Sequence, residues 1–185
     1  GGARLVEFTN RGDRAFEVFR ELITFTERET PDLILGIGSV LDVPTAGLYI
    51  NLGANFVVGS VLNPEIARLC NRRKVPYFPG CASPSEISTA EELGVEICKV
   101  FPAAELGGPA FVKAVLAPTP WTKIMPTGGV EPTYENLKNW FEAGVACVGM
   151  GSRLVRSDWV KAGNWQAIAD LTDQCLRWIR ELRKK

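Results

Sequence analysis

The sequence predicts an α/β fold of parallel strands alternating with helices, a (β/α)8 or TIM barrel whose first βα unit is absent from the chain. Three observations carry this reading. Short apolar runs recur about every 20 to 30 residues. The runs are nearly continuous rather than alternating in polarity, the pattern of strands covered on both faces. Several helical stretches close on a glycine that restarts the next run, as in Asn51-Leu52-Gly53-Ala54, Glu92-Leu93-Gly94-Val95 and Glu142-Ala143-Gly144-Val145.

In chain order the expected strands are Arg4 to Phe8, Leu33 to Ile37, Phe56 to Val58, Val75 to Phe78, Glu96 to Phe101, Lys123 to Met125 and Ala146 to Val148. Seven units leave a closed barrel of eight strands one short. The chain opens Gly1-Gly2-Ala3 without a methionine and runs at once into its first strand, so the absent unit is expected at the N-terminus. Between the strands, Asp13 to Phe25 sets Ala15, Phe19, Leu22 and Ile23 on one helical face. Asn63-Pro64-Glu65 and Ser83-Pro84-Ser85-Glu86 place a capping residue before a proline at the first helical position, and Ser83 with Glu86 makes a capping box. An amphipathic C-terminal helix is expected over 158–185, with Trp165, Ile168, Cys175, Ile179 and Leu182 on its apolar face. No composition break or linker divides residues 1–185, which read as a single barrel domain.

Composition narrows the function. The 185 residues are 46% apolar and carry 21 basic against 21 acidic side chains. A neutral balance without a Lys/Arg block lacks the electrostatic footprint of a nucleic-acid or anionic-membrane binder. Histidine is absent, which removes Ser-His-Asp and Cys-His machinery, His-ligated metals and His bases together. The five cysteines, Cys70, Cys81, Cys98, Cys147 and Cys175, show no C-x-x-C spacing, so neither a zinc ribbon nor a disulfide framework is signalled. No leader or membrane-spanning run is read, and a cytoplasmic location with a small-molecule partner is the expectation.

Reactive groups in a barrel stand at the C-terminal strand ends. Those ends offer Glu7, Thr9 and Arg11; Gly38 and Ser39; Pro79 and Gly80; Lys99; Thr127, Gly128 and Gly129; and Gly149, Gly151 and Ser152. Lys99 has apolar neighbours in Ile97-Cys98-Lys99-Val100-Phe101-Pro102. Burial there would disfavour the ammonium and free the amine for attack on a carbonyl; the bland alternative is a lysine that snorkels to solvent or pairs with a carboxylate. Glu7, between Val6 and Phe8, could supply the acid/base function, or could merely close the strand end through a salt bridge to Arg11. The turns Pro126-Thr127-Gly128-Gly129-Val130 and Gly149-Met150-Gly151-Ser152 follow the last two strands, where barrels bind phosphate through backbone N–H groups. Neither they nor Gly36-x-Gly38 complete a dinucleotide fingerprint.

The combination of Glu7-Phe8-Thr9-Asn10-Arg11, Gly38-Ser39-Val40-Leu41, Pro79-Gly80-Cys81-Ala82-Ser83-Pro84-Ser85-Glu86, Lys99-Val100-Phe101-Pro102-Ala103, Pro126-Thr127-Gly128-Gly129-Val130 and Gly151-Ser152-Arg153-Leu154-Val155 resembles the 2-keto-3-deoxy-6-phosphogluconate (KDPG) / 4-hydroxy-2-oxoglutarate (KHG) aldolases. The likeness runs from the first residues to about Arg156. It implies a class I aldolase on a (β/α)8 barrel, a homotrimer without metal or cofactor. Its substrate is a keto acid: KDPG cleaved to pyruvate and glyceraldehyde 3-phosphate, KHG to pyruvate and glyoxylate, or both. By motif position it implies Lys99 as the Schiff-base lysine, Glu7 as the acid/base, Arg11 holding the pyruvyl carboxylate with Pro79 near it, and Ser39 beside the substrate. Gly128, Gly129 and Ser152 fall at the phosphate, with Thr127 and Gly151 beside them as further substrate-binding positions. The chain departs from the family pattern in lacking the first strand and helix, in Asn10 where leucine is usual, and in Arg153 where an aromatic is usual. Two other readings stand beside it: a phosphate-binding barrel isomerase or decarboxylase using Lys99 as a base, and a non-catalytic binding barrel presenting Trp159, Trp165 and Trp178.

Overall fold

Apolar strands that each feed a helix can pair only in parallel, because the helix returns the chain to the sheet edge it left. The computed structural model describes residues 1–184 and divides into two compact units, Arg4–Lys99 and Gly1–Ala3 with the chain from Val100 onward. In the first unit, β1 (Leu5–Thr9), α1 (Ala15–Glu29), β2 (Ile34–Gly38), α2 (Val43–Asn51), β3 (Val57–Val58), α3 (Pro64–Arg73) and β4 (Tyr77–Phe78) follow one another. Their strands pair in parallel in the order β1-β2-β3-β4. Leu35 through Gly38 of β2 are buried, whereas Leu5 and Val6 of β1 remain 61% and 39% exposed, because β1 is the edge of its sheet. Phe19 of α1 packs at 5.7 Å from the Phe8 ring and edge-on at 5.1 Å from that of Tyr49, an arrangement favoured by ring quadrupoles.

Pro79 has no N–H to give to a ladder, and it separates β4 from β5 (Gly80–Cys81) where the sequence suggested one strand. Then come α4 (Pro84–Glu92) and β6 (Cys98–Val100). The expected helix starts form. Asn63 accepts from the N–H groups of Glu65 and Ile66 at 3.0 and 3.4 Å. Ser83 Oγ accepts from Glu86 N–H at 3.3 Å, while the Glu86 carboxylate accepts from Ala82 N–H at 2.8 Å, one residue earlier than in the usual box. The helix-ending Gly53 and Gly94 adopt φ of 104° and 84°, the left-handed conformation that glycine alone reaches cheaply.

The second unit holds α5 (Gly108–Leu116), β7 (Ile124–Pro126), α6 (Tyr134–Glu142), α7 (Ser157–Lys161) and α8 (Trp165–Leu182). Its buried residues include Val112, Ile124, Leu137, Trp140 and Cys175. The rings of Tyr134 on α6 and Trp178 on α8 meet at 6.1 Å.

Several expectations change. Ala146 to Val148 forms no strand: its neighbourhood donates from Ala146 N–H to the Ile124 carbonyl and from Gly149 N–H to that of Pro126, both at 2.9 Å, but only an isolated Thr127–Gly149 bridge results. The architecture is α/β with parallel sheets, and no closed sheet forms among the described residues. The single C-terminal helix expected over 158–185 is two, α7 and α8, because Gly163 turns at φ 64° and the Asn164 side chain caps α8 by accepting from Ala167 N–H at 3.2 Å; Lys185 lies outside the described residues. On α8, Cys175 is buried but Trp165, its first residue, is 62% exposed. All five cysteines are free. No helix among the described residues is long and apolar enough to cross a membrane.

Candidate active site

Lys99 sits in the middle of β6 between Cys98 and Val100, and is itself only 5% exposed. Its N–H donates to the Pro79 carbonyl at 3.1 Å, which ties β6 to the β4–β5 junction. Burial pushes the Lys99 ammonium below the ordinary lysine range, and the charge of Glu7 partly opposes that shift.

Glu7 is the central residue of β1, opposite Gly36 in the register. The sequence suggests an embedded carboxylate, but Glu7 as a residue is exposed, on the strand at the edge of its sheet. The carboxylate end is nevertheless crowded, lying against Gly38. Loss of solvation pushes its pKa up, and Lys99 pulls it back. Each member of this amine–carboxylate pair is thus held away from its ordinary protonation behaviour, and the charge of each acts on the other. No ion pair joins Glu7 to Arg11 among the described residues, so the strand-closing alternative does not form.

Ser39 follows β2 at φ 59°, half-buried; a serine held in the left-handed region is strained. Pro79 is buried at the end of β4. Arg11 is exposed beyond β1. It follows Asn10, whose N–H donates to the Gly38 carbonyl at 2.9 Å and whose Oδ1 accepts from the Tyr49 hydroxyl at 2.7 Å.

In the sequence Asn10 stands out only as a departure from the motif and Tyr49 does not stand out at all, because an aromatic on a helix reads as core. The available signal was a polar residue where the motif expects leucine, paired with a buried phenol that needs an acceptor. Tyr49→Phe removes the donor and leaves the Asn10 carbonyl unpartnered. It should cost about 1 kcal/mol in urea unfolding with an unchanged m-value.

In the second unit, Thr127 follows β7, and Gly128 and Gly129 turn at φ 88° and 76°. Asn136 of α6 clamps this turn, accepting from Glu131 N–H at 2.9 Å and donating to the Gly129 carbonyl at 3.2 Å. The Gly149–Ser152 turn lies beside it through the Thr127–Gly149 bridge. A Cβ on Gly149 would press on Thr127 Oγ1, so the approach requires glycine. Gly151 and Ser152 are exposed, and Arg153 approaches Glu131 at 3.9 Å, a solvent-screened pair of little energetic weight. The structure therefore brings together Glu7 with Lys99 in one unit, and Thr127, Gly128 and Gly129 with Gly149, Gly151 and Ser152 in the other.

Relatives that match this chain in sequence are aldolases, a class of lyase. The sequence model described as KDPG and KHG aldolase matches residues 1–171. The 2-dehydro-3-deoxy-phosphogluconate aldolase of Pseudomonas aeruginosa is 35% identical over 185 residues, covering 100% of this chain and 81% of its own length. A solved structure described as native KDPGal superimposes with a TM-score of 0.87 at 25% identity, covering 100% of this chain and 85% of that one. KDPG aldolase from Legionella pneumophila, solved with pyruvate captured at low pH as a covalent carbinolamine intermediate, has a TM-score of 0.78 at 31% identity, covering 95% and 81%. The chain belongs to the KDPG and KHG aldolase family.

Proposed function

We propose that this protein is a class I, Schiff-base aldolase that reversibly cleaves KDPG to pyruvate and glyceraldehyde 3-phosphate, with KHG as the unphosphorylated counterpart. The observation that carries the reading is Lys99, buried in a strand and electrostatically coupled to Glu7. The carbinolamine trapped in the Legionella pneumophila relative supports it.

Neutral Lys99 attacks the C2 ketone to give a carbinolamine, which loses water to become an iminium. The iminium accepts the electron pair of the C3–C4 bond as that bond breaks, while Glu7 takes the C4 hydroxyl proton. The aldehyde departs and the enamine of pyruvate remains on Lys99. Glu7 returns a proton to C3, and water releases pyruvate and the free amine. In this reading Arg11, Ser39 and Pro79 hold the pyruvyl end. Thr127, Gly128, Gly129, Gly151 and Ser152 hold the phosphate through backbone N–H groups, as consecutive left-handed glycines can. The reading carries with it a single (β/α)8 barrel domain to which these parallel strands contribute, a homotrimeric assembly and a cytoplasmic location.

The test is borohydride reduction in the presence of pyruvate, followed by intact-mass measurement and peptide mapping. A single pyruvyl adduct at Lys99 is the expected result. A folded protein that acquires none would return the site to a base-catalysed isomerase or decarboxylase, or to a barrel kept for binding.

A further inference from the structure

Gly38 closes β2, and its backbone does not lie in the left-handed region occupied by Gly53 or Gly94. A glycine with ordinary strand angles loses chain entropy and forgoes a packed side chain, so it marks a close approach by something else. At Gly36, two residues earlier, that approach is by the Phe56 ring, and small size there serves packing. At Gly38 it is by the Glu7 carboxylate: a β-carbon built on Gly38 would overlap Glu7 Oε1, Cδ and Cγ together.

The floor under the carboxylate is itself fixed. Gly38 pairs with Thr9 in the β1–β2 register, and its carbonyl accepts from Asn10 N–H at 2.9 Å. Glu7 stands opposite Gly36, so its side chain runs along β2 towards the strand's C-terminal end before it meets Gly38. Resting on the reading of Glu7 as the proton carrier, we propose that Gly38 is a positioning residue for the reaction. Its bare Cα is the seat of the Glu7 carboxylate, and a side chain there would displace the carboxylate from the position in which it couples to Lys99.

Two readouts separate this role from general support of the fold. Borohydride trapping of pyruvate requires the imine on Lys99; exchange of the pyruvate methyl protons for deuterium requires the imine and the proton carrier together. Gly38→Ala is expected to retain trapping while methyl exchange falls about 10²-fold. In a Glu7→Ala background the same substitution should change exchange by less than about twofold, since two changes acting through one side chain do not add.

Should Gly38→Ala fail to fold while Gly38→Ala/Glu7→Ala folds as well as Glu7→Ala, the overlap with Glu7 is demonstrated directly. Exchange by Gly38→Ala at the wild-type rate, an undiminished loss in the Glu7→Ala background, or failure of both variants to fold would each overturn the proposal. A wild-type protein that traps no pyruvate overturns the aldolase reading instead. A wild type that traps pyruvate and loses exchange on Glu7→Ala, beside an unaffected Gly38→Ala, overturns only the role of Gly38.

Discussion

Lys99→Met is expected to lower aldol cleavage by more than about 10⁴-fold, because the imine route has no substitute for its nucleophile. Methionine keeps the aliphatic volume of a side chain that is only 5% exposed between the fully buried Cys98 and Val100, so the variant should stay folded. It also removes a desolvated ammonium from the interior, a change that tends to stabilise a fold at the expense of activity. Steady-state cleavage of KDPG, measured beside thermal unfolding, checks both expectations. Pyruvate and borohydride should leave this variant unlabelled. A Lys99→Met protein that cleaves its substrate at near wild-type rate would remove Lys99 from the chemistry.

The second large effect is at Glu7. Glu7→Gln should reduce turnover by about 10²–10⁴-fold, the usual contribution of a positioned proton carrier, while pyruvate can still be trapped on Lys99. The pH dependence carries the sharper information. In the wild type, activity needs Lys99 neutral and Glu7 ionised. Activity is therefore lost as pH falls through the lowered ammonium pKa of Lys99 and the raised carboxyl pKa of Glu7. The two groups interact, so the acid limb reports macroscopic values of the pair.

Glu7 is the charge that holds the Lys99 pKa up against burial. Removing that charge should let the Lys99 pKa fall further, and the midpoint of pyruvate trapping should move to lower pH in Glu7→Gln. Trapping measured as a function of pH in both proteins decides the matter: an unmoved midpoint means that the pair is not coupled.

The placement of this pair shows where a linear reading stops. Burial of a lysine flanked by Cys98 and Val100 was one of the two outcomes the local sequence offered, the other being a side chain that snorkels to solvent, and the structure buries it. The same local logic expected Glu7 to be enclosed between Val6 and Phe8. Enclosure, however, depends on which strand lies beside β1, and among the described residues β1 is the edge of its sheet. The Glu7–Arg11 pair suggested by a spacing of four does not form, whereas a partner 92 positions away, on a strand of another sheet, does interact. Ala146 to Val148 has the composition of a strand, but of its backbone only Ala146 N–H reaches β7, at the Ile124 carbonyl, and the one bridge falls beyond it, between Gly149 and Thr127. Asn10 and Tyr49 were invisible as a unit, since nothing in either local pattern specifies a hydrogen bond across 39 positions.

What the sequence determined by itself was set by local chemistry: the alternation of buried strands with capped helices, the glycine turns at helix ends, the absence of histidine, and the motifs that carry the family. Capping, left-handed turns and desolvation by immediate neighbours act within a few residues, so they are written in the chain. The tertiary structure alone decided the seat of the Glu7 carboxylate on Gly38, its coupling to Lys99, the Asn136 clamp on the Gly129 turn, and the division of the C-terminal segment into α7 and α8. The pair, the seat and the clamp depend on the register and packing of elements far apart in sequence, where an atom's position is fixed by its neighbours in space.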